Sequence, residues 1–113
     1  MKSKIASLSK NSEFKSILDG KKISNKYSTI FFKTLNGKNI KKFNISFVVK
    51  KKIGNAVSRN KIKRRLKNIM NEACKKININ YKYSYLIISK KIIIDENYEK
   101  IKEQFFNDFK KIK

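Results

Sequence analysis

Residues 50–67, KKKIGNAVSRNKIKRRLK, are the part of the chain whose residue types and spacing point most directly to a chemistry. They include nine cationic side chains and no carboxylate. Gly54 permits an unusual backbone, and either Asn55 or Ser58 is able to cap a helix that starts next to it. The amides of that first turn, the positive end of the helix and the basic run 59–61 then converge on one place. Because N–H groups and cations bind oxyanions, the stretch predicts a site for phosphate.

Arginine occurs only in this stretch, whereas lysine occurs throughout the chain. Of the 30 cationic residues, three are arginines: Arg59, Arg64 and Arg65. The planar guanidinium binds two phosphate oxygens at once and stacks on nucleobases, and an ammonium group does neither. The distribution therefore indicates that the shape of the cation matters at these three positions, in addition to its charge.

The cationic stretch needs a rigid element to display it, and the sequence supplies a helix between two strands. From Ala56 onward the apolar residues recur with the period of a helix, at Ile62, Leu66, Ile69, Met70, Ala73 and Ile77. The opposite face is polar and carries Lys63, Arg64, Lys67, Asn68, Asn71 and Lys75. Residues 43–50 alternate like a strand with one buried face, and residues 83–89 form a short apolar strand. Strands that flank one helix are expected to lie parallel in the same sheet.

N-terminal to this unit, the sequence predicts a helix and a hairpin. The helix runs through Phe14 and ends at Gly20, where a left-handed C-terminal cap is expected. Residues 27–34 are rich in β-branched and aromatic side chains, and the turn signal at 36–37 precedes the strand at 43–50. These segments therefore predict a hairpin between the two strands.

C-terminal to the unit, a last helix is predicted, with Asp95 available as its cap. Its apolar stripe consists of Tyr98, Ile101, Phe105, Phe109 and Ile112. At the start of the long helix, the small Ala56 and Val57 are expected to allow close approach to the sheet. The element order becomes αβ(β)βαβα, in one small domain over residues 1–113.

The overall charge narrows the choice of partners. The chain has 113 residues, with Lys+Arg 30 against Asp+Glu 8, a formal net charge of +22 and a pI near 10.2. Such a chain repels itself unless a polyanion neutralises it; nucleic acid is the commonest polyanion, and a membrane surface is the second candidate. No run approaches the ~20 apolar residues of a spanning helix, and MKSKIASLSK lacks the apolar core of a signal peptide. We therefore expect a cytoplasmic nucleic-acid-binding protein with no membrane partner.

The sequence contains few groups that catalyse hydrolysis. It has no histidine and a single cysteine, Cys74, so neither a Cys/His metal site nor a Cys-His nucleophile pair is available. Only Glu13 and Asp19 precede Glu72 among the acids. The acids that share a helix face are Glu96, Glu99 and Glu103. Among so many lysines this face is interpreted as solvated and ion-paired. No catalytic residue, no metal site and no protein-bound cofactor are therefore predicted.

The motif at 51–64 resembles the signature of the bacterial ribonuclease P protein component. That family has lysine-lysine, a hydrophobic residue, Gly-Asn-Ala-Val, any residue and then Arg-Asn-Arg-Ile-Lys-Arg. Here the stretch reads KKIGNAVSRNKIKR, and only Lys61 departs from the pattern, keeping the charge of arginine but not its bidentate contact. The resemblance covers nearly the whole chain, because SEFKSILDGKKIS is similar to the family's first helix and following turn, and YSYLIIS to its late strand.

The resemblance implies a fold and an activity. The fold is of the α+β class, an αβββαβα two-layer sandwich of the kind found in a ribosomal-protein domain. Its four-stranded mixed sheet contains a left-handed βαβ crossover, against the usual right-handed rule. The implied activity is that of ribonuclease P, the endoribonuclease that removes the 5′ leader from precursor tRNA. Catalysis resides in the RNA subunit, which requires Mg2+, and the protein is an accessory subunit with no activity of its own.

The resemblance also implies two binding surfaces. The first contacts the catalytic RNA subunit through Lys52, Asn55, Arg59, Asn60, Lys61, Lys63, Arg64, Arg65 and Lys67. The second is a cleft between the first helix and the sheet, which holds the single-stranded leader with Phe14, Leu18, Phe32, Lys50 and Lys51. Aromatic rings stack on bases, and the lysines at 50–52 together neutralise leader phosphates. Leu18 stands where the family often has a second aromatic residue, and both phenylalanines have the alternative of being core residues.

Two other functions are compatible with a small basic chain. A self-sufficient protein nuclease needs grouped carboxylates or histidine, which this sequence lacks. A stand-alone basic module, of the ribosomal RNA-binding or the DNA-binding type, does not specifically require Gly-Asn-Ala-Val ahead of Arg-Asn. No DNA partner is therefore expected, and a stand-alone RNA-binding module stays open as the alternative.

Overall fold

The protein, described by a computed structural model over residues 5–8, 11–38 and 41–112, has helices and strands mixed along the chain. The elements are β1 (Ile5–Ala6), α1 (Asn11–Leu18), β2 (Lys21–Ser24), β3 (Ser28–Thr34), β4 (Phe43–Val48), α2 (Ala56–Lys76), β5 (Tyr83–Ser89) and α3 (Tyr98–Lys111). Short 3₁₀ turns at Lys51–Ile53 and Lys91–Asp95 precede α2 and α3. Among these residues no helix is long and apolar enough to cross a membrane.

The strands form one mixed sheet in the order β1-β4-β5-β3-β2. β4 and β5 flank α2 in the chain and pair in parallel, as predicted, with Ile45 opposite Tyr85. β3 is antiparallel to both β2 and β5, and β1 adds a short parallel pair to β4. The α+β class is thus confirmed, with five strands where the sequence predicts four. β1 has only two residues and β2 reads KKIS, so neither carries enough apolar alternation to be recognised.

The predicted hairpin between β3 and β4 is wrong. The turn itself is present, and Gly37 has a positive φ of 77°, but β5 lies between the two strands. The hairpin instead joins β2 to β3. Its turn is built by Asn25, whose Oδ1 accepts hydrogen bonds from the backbone N of Tyr27 at 2.7 Å and of Ser28 at 2.8 Å. β5 takes the central position, where both of its edges are paired, and its side chains are buried on both faces of the sheet.

The main core fills the sheet face under α2 and α3. α2 buries Ile62, Leu66, Ile69, Met70 and Ala73, as its periodicity predicts. The strands and α3 contribute Ile30, Phe32, Phe43, Ile45, Tyr85, Ile87, Ile101, Phe105 and Phe109. The buried stripe of α2 begins only at Ile62, so the first turn extends past the core. Ala56 and Val57 are exposed there, and the close approach to the sheet predicted for them is wrong.

Asparagine caps both long helices. Asn55 caps α2, which begins at Ala56 as predicted, and Asn97 caps α3. The side chain of Asn97 accepts a hydrogen bond from the backbone N of Glu99 at 2.8 Å. Asp95, the predicted cap, ends the preceding 3₁₀ turn instead, so it lies too early in the chain to accept a first-turn N–H of α3.

α1 packs on the opposite face of the sheet over a smaller cluster, the α1 cluster, in which Leu8, Ile17 and Leu86 are buried. The backbone N of Leu8 donates to Ser46 Oγ at 2.8 Å, so β4 is covered on both faces, although its alternation predicts one buried face. The left-handed cap predicted at Gly20 is not formed, because among the described residues only Gly37 has a positive φ. Glycine is required at position 20 by close contact with β3.

Candidate nucleic-acid interface

The start of α2 is held by hydrogen bonds to Asn55. Its Oδ1 accepts the backbone N–H of Ser58 at 2.9 Å. Its carbonyl oxygen accepts the backbone N–H of Arg59 at 3.0 Å and the Arg59 Nε at 3.4 Å. Gly54 has an extended backbone with φ 174°, so the unusual conformation predicted for it is absent. The bond through Nε orients the guanidinium of Arg59, whose terminal nitrogens are those suited to bidentate phosphate contact.

The outward side of α2 is a cationic surface, the α2 basic face, defined by Arg59, Asn60, Lys61, Lys63, Arg64 and Lys67. All of these side chains are exposed except Arg59, which is half-buried. A depression of about 470 Å³ on this face is lined by Val57, Asn60, Lys63 and Arg64. The first acid in the helix is Glu72, whose carboxylate lies 3.3 Å from Lys102 Nζ on α3. The α2 basic face therefore has no carboxylate of its own helix to neutralise it.

Arg65 lies apart from the other residues predicted to bind the RNA subunit. It is half-buried and lines a small gap between α2 and α3 with Ile62, Leu66, Ile93 and Ile101. Its aliphatic stem therefore covers apolar core residues while its charged end reaches solvent, as is usual for long cationic side chains. The structure separates Arg65 from the α2 basic face and gives it a packing role.

The second surface, the sheet cleft, lies at the C-terminal ends of β4 and β5. It has a volume of about 580 Å³ and is lined by Thr29, Lys50, Lys52, Ile53, Ile88, Ser89, Lys90 and Lys91. Four of these are lysines and none is an acid. Lys90 is held in place, because its Nζ donates to Ser24 Oγ at 2.8 Å and to the carbonyl of Asn25 at 2.7 Å. An ammonium group has three N–H donors, so one remains for a ligand.

The structure divides the predicted leader residues between two sides of the sheet. Phe14 is half-buried against the α1 cluster, and Leu18 on the same helix is 45% exposed. Phe32 belongs to the main core on the opposite side, with its ring 5.1 Å from that of Tyr83. Grouping Phe32 with Phe14 is therefore wrong. The neighbouring Phe31 is the phenylalanine of β3 that packs with the α1 cluster, and it is half-buried.

Alternation along β3 distinguishes the two phenylalanines. Phe31 has Thr29 and Lys33 two residues away on its own face, which marks that face as more solvent-exposed than the face of Phe32. Phe32 has Ile30 in the corresponding position, and Ile30 is fully buried. The polar neighbours of Phe31 are thus the sequence signal by which it is identified.

Lys90 and Lys91 are also absent from the predicted set, although the sequence contains their signal. They are the first two residues after β5, and residues 50–52 begin one residue beyond the end of β4. Since the two strands are parallel, the segments after them meet at one edge of the sheet. Lys50 and Lys52 both line the sheet cleft there, whereas Lys51 is exposed outside the lining. Lys52 thus lies with the leader set rather than with the α2 basic face, and Lys51 does not join the lining predicted for it.

Both surfaces supply cations beside apolar side chains, and such groups are suited to holding a polyanion rather than to transferring protons. Within residues 5–8, 11–38 and 41–112, no three His, Cys, Asp or Glu side chains are close enough together to hold a metal ion. Only residues 53–55 separate the lysines of the sheet cleft from the first turn of α2, and Ile53 is buried between them. The two cationic surfaces are therefore adjacent and joined by a fixed segment.

Comparison with known proteins identifies relatives of this chain. A family model described as Ribonuclease P matches residues 2–113. A ribonuclease P protein component of Mycoplasmopsis synoviae is 37% identical, covering 94% of this chain and 95% of the relative. One of Carboxydothermus hydrogenoformans is 34% identical, covering 94% and 90%. The solved RNase P protein from Thermotoga maritima superposes with a TM-score of 0.80 at 25% identity, covering 96% of this chain and 98% of that one. The chain belongs to the ribonuclease P protein family.

Proposed function

We propose a division of labour between the two surfaces of this ribonuclease P subunit. The α2 basic face binds the catalytic RNA, and the sheet cleft binds the single-stranded 5′ leader of precursor tRNA. The RNA subunit, with Mg2+, performs the cleavage, and the protein assists substrate binding in the cytoplasm. The observation that supports this proposal best is the adjacency of two acid-free cationic surfaces, in a chain with a net charge of +22.

The α2 basic face suits a folded RNA. A helix that is fixed to the sheet by its buried stripe presents cations at set distances, so it matches a defined arrangement of phosphates rather than any anionic surface. Its arginines offer planar forks for bidentate contact with phosphate oxygens. Each phosphate neutralised releases counterions, so the affinity should fall steeply with added salt.

The sheet cleft suits a single strand. Ile53 and Ile88 form an apolar floor, and lysines line the same space. Bases of an unpaired strand lie on such a floor while the phosphates meet the lysines, and this mode of binding needs no particular sequence. Phe31 and Phe14 are half-buried on the same side of the sheet, and each has a ring of the type on which a base stacks.

Leader binding has a thermodynamic consequence. Mature tRNA has no 5′ leader, so contacts in the sheet cleft contribute to the affinity for precursor alone. The protein should therefore increase the preference of the enzyme for precursor over product, and the α2 basic face should contribute equally to complexes with either RNA.

Reconstitution tests this proposal. The RNA subunit from the same source is assembled with and without the protein, and the affinities for precursor and for mature tRNA are measured together with cleavage. The expected result is tighter binding of precursor with little change for mature tRNA. Equal tightening of both would contradict a leader site. Tighter binding of duplex DNA or ribosomal RNA than of the RNA subunit would favour a stand-alone nucleic-acid-binding module instead.

A further inference from the structure

Val57 is the most exposed large apolar side chain in the described ranges, at 75%. It stands on the first turn of α2, ahead of the buried stripe that starts at Ile62. An exposed β-branched residue also favours a helix less than alanine does. Neither core packing nor helix formation accounts for a valine at this position, so its methyl groups are available to a partner.

The surroundings of Val57 form a groove of mixed chemistry. The depression of about 470 Å³ on the α2 basic face is lined by Val57, Asn60, Lys63 and Arg64. The last three of these residues lie three, six and seven positions after Val57, so the lining follows one side of the helix over about 10 Å. The groove thus has an apolar patch at its N-terminal end, an amide in the middle and two cations at its other end.

We propose that Val57 packs against the face of an unstacked nucleobase of the RNA subunit. Asn60 then reaches the edge of that base, and Lys63 and Arg64 bind phosphates of the same strand. The inference rests on the proposed function and adds a base-contacting residue to a surface otherwise described by its charge.

The occupant follows from the chemistry of the groove. The two cations, with no carboxylate in the lining, select an anionic strand. Methyl groups add nothing to phosphate binding, since phosphates bind through hydrogen bonds and charge. Nucleobases have apolar faces, and RNA exposes them where its bases are unstacked in loops and bulges. A valine beside two phosphate-binding cations therefore fits a point where the bound RNA leaves its duplex.

The inference is tested with Val57→Ala in the assembled holoenzyme and in binding to the isolated RNA subunit. Removing two methyl groups should weaken RNA-subunit binding by about four- to fifteenfold, for one or both methyl groups buried at ~0.8 kcal/mol each. The slope of log affinity against log salt should not change, because the variant keeps every cation. Lys63→Gln should instead lower that slope by ~0.7–0.9. The melting temperature of Val57→Ala should stay the same or rise, because alanine is the better helix former.

Two variants serve as controls. Val57→Ile keeps an apolar surface and should bind the RNA subunit like the wild type. Ile92→Ala removes a side chain that is 48% exposed and lies outside α2, and it should leave RNA-subunit affinity unchanged. Wild-type affinity in Val57→Ala, a lowered salt slope in that variant, or equal weakening by Ile92→Ala would each overturn the inference. If the wild-type protein does not prefer the RNA subunit to other RNAs, the proposed function fails as well, so the two failures are distinguishable.

Discussion

A Cβ atom on Gly20 would lie 2.6 Å from the carbonyl oxygen of Phe32. The end of α1 therefore rests directly on the backbone of β3, where only a hydrogen fits. The same Cβ would lie 2.8 Å from the Cβ of Lys33, and neither atom is the flexible end of a side chain that could swing away. This contact fixes the position of α1 over the sheet face where the leader is proposed to bind.

Gly20→Ala should therefore displace α1 from β3. We expect the free energy of unfolding to fall by about 1–3 kcal/mol, the usual cost of overpacking. Precursor tRNA affinity of the holoenzyme should fall with it, because Phe14 and Leu18 move with α1. Affinity for the RNA subunit should be unchanged, since α2 packs on the other face of the sheet. Denaturant unfolding and the two affinity measurements test these expectations. An unchanged free energy of unfolding would show that α1 does not rest on β3 at Gly20.

Phe31 and Phe32 are neighbours in sequence that lie on opposite faces, so they form a matched pair. Phe32→Ala should cost about 3–5 kcal/mol of stability, because the side chain is 7% exposed in the main core. Phe31→Ala should cost less stability. If it stacks on a leader base, precursor affinity should fall by about 1–3 kcal/mol with mature tRNA unaffected.

Melting curves and paired affinities for precursor and mature tRNA separate the two phenylalanine variants. Phe14→Ala, on the helix side, should behave like Phe31→Ala. Should Phe31→Ala weaken both RNAs equally and lower the melting temperature as much as Phe32→Ala, the ring would be a core residue only. The leader site would then depend on the lysines of the sheet cleft.

The contrast between Phe31 and Phe32 shows what local sequence does and does not determine. α2 is predicted correctly from its start at Ala56 through Ala73 of its buried stripe, because a helical period and an adjacent asparagine cap are both local signals, whereas Ile77 lies just past the helix end. The exposed cations of the α2 basic face follow from the same period. The side of a strand is harder to assign, because an error of one residue exchanges the two faces, as it does for Phe32.

Strand order could not be predicted in the same way. The insertion of β5 between β3 and β4 depends on pairing between residues far apart in the chain, such as Phe31 with Leu86. No local turn signal encodes this pairing, and the Asn36-Gly37 turn suggests the wrong partner. The parallel pairing of β4 with β5 is the exception, because the helix between them predicts it, and it places Lys90 at the same edge of the sheet as the lysines after β4.

Asn55 provides a test of whether the start of α2 matters for RNA binding beyond its charge. Asn55→Ala should lower the free energy of unfolding by about 1 kcal/mol through loss of the cap. It should also weaken RNA-subunit binding, because the first turn carrying Arg59 frays. Asn97→Ala removes the equivalent cap of α3 and should cost similar stability without weakening RNA binding. Equal RNA affinities for the two variants would show that the order of the α2 terminus is unimportant.

The lysines of the sheet cleft are tested by a charge-matched pair of double variants. Lys50→Gln with Lys52→Gln should weaken precursor binding and reduce its salt slope by ~0.7 for each phosphate of the single strand that is no longer neutralised. Lys110→Gln with Lys111→Gln removes the same charge from exposed positions on the last turn of α3 and should have a smaller effect. Affinity titrations at several salt concentrations measure this. Equal effects of the two double variants would indicate that only bulk charge attracts the leader.

The arginines of α2 are tested by substitutions that keep the charge. Arg59→Lys and Arg64→Lys should each weaken RNA-subunit binding by about 1 kcal/mol, because a bidentate contact becomes a single one. Arg65→Lys should have little effect, since lysine keeps the aliphatic stem that packs against Ile62 and its neighbours. Lys61→Arg should strengthen binding by adding a fork at an exposed position of the α2 basic face. Filter binding at two salt concentrations measures the affinity and its salt slope. All four variants should share the wild-type slope, because each keeps its positive charge. If all four also share the wild-type affinity, the shape of the cation plays no part, and the confinement of arginine to this helix has no binding role.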